Sequence, residues 1–174
     1  PESGALRYIP FLEFSSNTVF FDVVRPSSVE IPLVGSAVLP IALNPSNAVS
    51  YGAGCGTPPL DFSPTDNPII GTTAGALISN APTSFGGVSF GLSNTFTSPI
   101  TLPYELSGVG MPGCYLLQSN DIFGLPVIPV TASTLQFDAA IPYNTALLTQ
   151  NFYIQAYAFA PGANASQIVT SNGI

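Results

Sequence analysis

A chain of 174 residues has the length of one domain, or of one domain with an extension, and buries roughly two-thirds of its unfolded surface without a metal or cofactor to hold it. Charged residues make up only 6% of it, against roughly a quarter in ordinary globular proteins, while 46% are apolar. The net charge of −7, with no Lys, no His and only Arg7 and Arg25 as cations, excludes nucleic acid as a partner and disfavours anionic membrane surfaces.

Helix signals are nearly absent, because Ala occurs beside Gly, Pro and β-branched residues and the usual fillers of exposed helix faces are missing. The 18 prolines and 16 glycines instead punctuate short runs of Val, Ile, Thr, Phe and Tyr, the pattern of an antiparallel β-sandwich or jelly roll. In chain order, strands are expected at 11–14, 18–24, 29–33, 38–43, 69–73, 75–79, 87–92, 100–102, 114–118, 126–130, 134–137 and 152–159. In 134–137 the side chains of Leu135 and Phe137 point one way and Gln136 and Asp138 the other, so one face is buried. The 152–159 run is apolar on both faces and is expected at the centre of a sheet.

Every apolar run is interrupted by Pro or Gly well short of the roughly 18 residues a spanning helix needs, so no transmembrane segment is expected. A start at Pro1, with no initiator Met and no charged-then-apolar leader, suits a mature exported form. Composition changes near Tyr51. Residues 1–50 hold both arginines and four of the nine acids and no cysteine. They are expected to add strands to a module at 51–174.

Cys55 and Cys114 are the only cysteines, too few without histidine for a structural zinc site. A disulfide between them would close a loop of about 60 residues and restrict the unfolded chain by about 4 kcal/mol. The alternative is two separate buried thiols. A disulfide in turn points to an oxidising compartment, and with it to an extracellular or cell-surface location.

Tyr51-Gly-Ala-Gly-Cys55, Ile70-Gly-Thr-Thr73, Gly91 after an apolar strand, Gly110-Met-Pro-Gly-Cys114, Ile141-Pro142, Ile154-Gln-Ala156 and Ser171-Asn-Gly173 together resemble a module found near the C-termini of secreted planctomycete and myxobacterial proteins. The resemblance covers 51–174. It implies an exported β-sandwich with one disulfide and no transferable catalytic residue.

Catalytic chemistry finds little to work with. Nucleophilic triads lack their histidine, Schiff-base chemistry lacks its lysine, and Gly52, Gly54 and Gly56 precede no phosphate-binding Gly-Lys-Ser/Thr. Paired carboxylates remain for glycoside hydrolysis, but Asp61, Asp66 and Asp121 sit among Pro, Ser and Asn as turn residues do. The same Asp61–Asp66–Asn67 loop, and Asn120 with Asp121, offer oxygens for calcium without EF-hand spacing. Asn164-Ala-Ser166 is a glycosylation sequon or an ordinary loop. Tyr51, Tyr104, Tyr115 and Tyr143 lie near turns, where a sugar-binding surface would place rings or a core would take them.

The pattern of residues suggests a non-catalytic, cofactor-free subunit that assembles with copies of itself, into a filament, by donating a strand. The donor is the 18–24 run, whose Val19, Phe20, Phe21, Val23 and Val24 put apolar side chains on both faces; Arg25-Pro-Ser-Ser28 then ends the ladder. The alternative is a sandwich that binds surface glycans, with the same residues folded into its own core.

Overall fold

A computed structural model describes Thr18–Val19, Leu39–Pro40 and residues 46–174. The chain divides into two units, Pro1–Pro45 and Ser46–Ile174. In the first, β1 (Thr18–Val19) pairs antiparallel with β2 (Leu39–Pro40), Val19 opposite Leu39. Phe20, Phe21, Val23 and Val24 lie outside the described residues.

The second unit is all-β and antiparallel. Twelve strands follow: β3 (Asp61–Pro64), β4 (Thr73–Ser79), β5 (Gly86–Gly91), β6 (Phe96–Thr97), β7 (Ile100–Thr101), β8 (Tyr104–Glu105), β9 (Tyr115–Leu116), β10 (Ile122–Leu125), β11 (Ile128–Thr131), β12 (Thr134–Ala140), β13 (Tyr153–Phe159) and β14 (Ile168–Gly173). Eight of them form two four-stranded sheets, β11-β12-β4-β3 and β10-β5-β13-β14. Taken in sequence as A, B, C, C′, D, E, F and G, these eight strands give the sheets D-E-B-A and C′-C-F-G. That is the strand order of an immunoglobulin-type sandwich with one added strand, and it settles the choice between sandwich and jelly roll.

The core lies between the sheets. Phe62, Ala76, Ile78, Leu135 and Phe137 come from one sheet, Val88, Ala156, Ala158 and Val169 from the other. The alternation expected for 134–137 is observed, with Leu135 and Phe137 buried and Asp138 exposed. β13 is central, between β5 and β14.

Its outer face is covered too, which is why both faces are apolar or closed. Residues 92–121 leave the sheet as an excursion containing the small hairpins β6–β7 and β8–β9, and fold back over it. Leu117 N donates to Gln155 Oε1 (3.1 Å), and Gln155 Nε2 donates to the carbonyls of Tyr115 (2.9 Å) and Ser171 (2.7 Å). Gln118 Nε2 donates to Ser89 Oγ (2.7 Å). Gly91 is required at this approach: a β-carbon there would sit 1.9 Å from the Ser119 carbonyl oxygen. The Cys55–Cys114 disulfide, both residues buried, fastens the excursion to the segment entering the module ahead of β3.

Several elements differ from the sequence expectation. Of the expected 69–73 strand, 69–72 form none: Gly71 turns the chain at φ 80°, Thr72 Oγ1 donates to the Ile69 carbonyl, and β4 begins at Thr73. Residues 114–118 shrink to β9, paired only with β8. β3, β6, β8, β10 and β14 had no expected counterpart.

At one side of the sandwich the sheet edges β3 and β14 meet, and a side chain joins them. Phe62 N donates to Asn172 Oδ1 (2.8 Å) and Asn172 Nδ2 donates to the Phe62 carbonyl (2.7 Å), so one amide group does the work of a neighbouring strand. Replacing Asn172 with Ala leaves both Phe62 groups buried and unbonded, and the expected loss is about 2–4 kcal/mol. Urea unfolding checks this as a fall in midpoint at constant slope. Replacing Cys55 and Cys114 with Ser releases a loop of sequence separation 59 and is expected to cost about 4 kcal/mol by the same measurement.

Candidate functional site

Cys55 and Cys114 are bonded to each other, so the two-thiol alternative falls. The bond is structural in its setting: Thr170 N donates to Cys55 Sγ (3.2 Å), and Cys55 N donates to the Thr170 carbonyl (2.8 Å), tying the bridge to β14.

The four tyrosines considered for sugar stacking do not converge. Tyr51 is half-buried edge-on to Tyr153, with ring centroids 6.0 Å apart. Burial, with the Tyr153 phenol beside it, pushes the Tyr51 hydroxyl above its ordinary range. Tyr104 lies opposite Leu116 and Glu105 opposite Tyr115, which puts Tyr104 and Tyr115 on opposite faces of their hairpin. Tyr143 is 83% exposed and packs over the Gly71 turn instead.

An aromatic pair that sequence reasoning missed sits on the outer face of β10 and β13. Phe123 stacks on Tyr157 with centroids 4.6 Å apart and planes 10° from parallel, and Phe123 remains 63% exposed. Nothing local marks this pair, because it depends on β10, whose Asp-Ile-Phe-Gly-Leu-Pro sequence carries Gly and Pro at strand-breaking positions.

The acids do not gather in one place: Asp66 and Asp138 both approach Gly75, while Asp61, Glu105 and Asp121 lie elsewhere. Asp61 lies on β3 opposite Ser79 and accepts from Ser63 Oγ (2.8 Å). Asp66 instead reaches Gly75, which a β-carbon would place 3.0 Å from Asp66 Oδ2 and 3.4 Å from Asp138 Oδ1. Four residues of β4 separate these two points, about 13 Å along a strand, so the loop does not gather Asp61 and Asp66 around one ion. Gln136 Nε2 donates to both Asp138 oxygens (2.8 and 2.9 Å). Among the described residues there is no group of three His, Cys, Asp or Glu side chains placed to hold a metal.

Asn164 closes its own loop. Its Nδ2 donates to the Ile168 carbonyl (2.6 Å) and its Oδ1 accepts from Ile168 N (3.2 Å). Asp121 does the same for the excursion, accepting from Leu92 N (2.8 Å) and Ser119 Oγ (2.7 Å). The Ser119 hydroxyl and the Leu92 N–H hold its carboxyl below the usual carboxylate range.

No family model, curated protein or solved structure matches the chain. Among the described residues no helix is long and apolar enough to cross a membrane.

Asp121 gives a pH prediction. A carboxylate whose folded pKa is depressed contributes stability that is present above its unfolded value and lost as pH falls through the folded one. Asp121→Asn is therefore expected to lower the urea midpoint at neutral pH and to match the unsubstituted chain near pH 2. Glu105, depressed by Ser107 and the Gly113 N–H, titrates in the same direction but cancels in this comparison. A deficit of equal size at both pH values would contradict the assignment.

Proposed function

We propose that the protein is an exported, non-catalytic structural subunit that assembles with copies of itself, into a filament, through its N-terminal 18–24 strand. The observation that carries this reading is the surface of the 46–174 unit. It has five carboxylates and no Lys, Arg or His, yet large apolar side chains stand exposed along it, among them Phe85 (72%), Phe123 (63%), Leu92 (61%) and Ile128 (60%). Such a surface loses little solvation energy on contact and is costly to leave wet in a monomer.

The N-terminal run adds the reason to expect strand donation: extended as a strand, its alternation would set Val19, Phe21 and Val23 on one face and Phe20 and Val24 on the other, so a two-sided groove suits it better than an edge. Burying Val19, Phe21 and Val23 contributes roughly 5–8 kcal/mol before ordering costs. Export accords with the disulfide, which persists in oxidising compartments. Non-catalytic fits a chain without histidine or lysine.

One observation favours a second reading, a sandwich that binds surface glycans: the preformed Phe123–Tyr157 stack presents a flat apolar ring to solvent. Retention of the monomer on insoluble polysaccharide would select it.

Size-exclusion chromatography and negative-stain imaging of the full chain test the first reading. Multimers are expected, and Phe21→Asp is expected to abolish them while the urea midpoint of the remaining monomer stays unchanged. A chain that is monomeric at high concentration, or multimers indifferent to Phe21→Asp, would refute donation.

A further inference from the structure

The sandwich has four edge strands, and the chain treats them differently. The outward side of β14 is taken: Tyr51 and Gly173 exchange two backbone hydrogen bonds (2.9 Å each), and Cys55 N bonds the Thr170 carbonyl. β3 is taken as well. Leu60 N donates to the Cys55 carbonyl (2.9 Å), Phe62 is held by the Asn172 amide, and Pro64, at the next outward position, has no N–H to offer.

On the opposite side of the sandwich lie β10 and β11, joined by Pro126-Val127. In β11, Pro129 stands opposite Leu135. Proline cannot donate, so this pair exchanges no hydrogen bonds and Pro129 turns its backbone outward, blocking that edge. β10 is left. Among the described residues, Ile122–Leu125 makes no backbone hydrogen bond beyond its pairing with β5.

We infer that β10 is the edge at which this unit receives an extended strand from a second copy, and that the occupant is residues 18–25 of that copy. The inference rests on the strand-donation reading and locates its acceptor. Charge supports the choice of occupant. The 46–174 unit contains no cation, and Asp121, directly before β10, is an exposed carboxylate. Arg25 directly follows the apolar run and is one of two cationic side chains in the chain. All described strand pairs are antiparallel, and in antiparallel docking of 18–25 on β10 the register that pairs Arg25 with Asp121 brings Val24 beside Ile122.

The rim matches in polarity. Ile122 is 51% exposed, and Val130 of the adjacent β11 is 53% exposed, so apolar side chains of the incoming strand meet apolar ones. β10 is bulged, with Gly124 at φ 82° and a register shift between Ile122 and Leu125. A bulge shortens the regular ladder, which leaves side-chain burial and the Arg25–Asp121 pair to select the partner.

The test uses two full-length variants, Val24→Cys and Ile122→Cys, each retaining the native disulfide. Mixed and oxidised, they are expected to give a cross-linked pair containing one chain of each, at least tenfold in excess of the pair formed by either alone. Phe123→Asp gives up the stack on Tyr157 and is expected to abolish multimers while the monomer still unfolds in one cooperative step with a modestly lowered urea midpoint. Multimers that form in the mixture without the mixed cross-link, and that survive Phe123→Asp while still failing with Phe21→Asp, would overturn β10 as the acceptor and leave donation standing. An unsubstituted chain without multimers would sink both.

Discussion

The amide of Asn172 is the constraint around which the sandwich closes. Two sheets packed face to face leave edge backbone groups at each side, and a buried N–H or C=O without a partner costs about as much as a hydrogen bond is worth. Here β3 and β14 come together where Phe62 is fully buried, so neither water nor a further strand can satisfy it. A short side chain bearing an amide NH2 and a carbonyl oxygen spans the gap and joins the two sheets. With the β3–β14 side set in this way, Cys55 reaches Thr170, the disulfide holds Cys114 over the outer face of β14, and the 92–121 excursion is delivered onto Gln155.

Gln155 repeats the device on the outer face of β13. A carboxylate in either place would demand a cation, and the 46–174 unit has none to supply. Amides satisfy backbone groups without charge and without dependence on pH. The low charge of the sequence and the amide-stitched interior are thus two aspects of one solution: polar cohesion is achieved by neutral groups aimed at the backbone. Gln118 shows where that solution is strained. Its Nε2 is bonded to Ser89, but its Oε1 has no hydrogen-bond partner and lies where a side chain at Gly91 would be.

Legibility followed this division. The all-β class, the central position of 152–159 and the Leu135/Phe137 face were readable because apolar periodicity reports burial directly. β14 was not. Ile168-Val-Thr-Ser-Asn-Gly173 ends in residues that ordinarily signal a turn, yet from Val169 onward every position is buried, since Ser171 Oγ accepts from Ala156 N and Asn172 serves Phe62. A polar strand of this kind is invisible to hydrophobic pattern, because what buries it is hydrogen bonding to β13 and to Phe62, 110 residues earlier, not its own apolar surface. β3 escaped for a related reason: Asp61 and Pro64 frame a single inward Phe62, too short a signal to outweigh its turn residues. Of the site residues, the pairing of Cys55 with Cys114 was legible by elimination, whereas the Phe123–Tyr157 stack depends on a register that no local sequence states.

Immunoglobulin-type topology by itself assigns no function, since unrelated activities share it. What distinguishes this version is the inequality of its two sides. Side-chain amides, backbone bridges and a disulfide seal the β3–β14 side, so any substitution there is paid in stability. Little but a proline and a bulge guards the β10–β11 side, where four apolar residues face outward. Natural sheets that must stay monomeric place lysine or other charge on such an edge. This chain has no lysine, and its one carboxylate at the rim, Asp121, is committed to bracing the excursion behind it. An edge left that way is either a hazard for the folded protein or the surface it uses, and the contrast with the bonded β3 and β14 edges is what the proposed strand docking on β10 rests on.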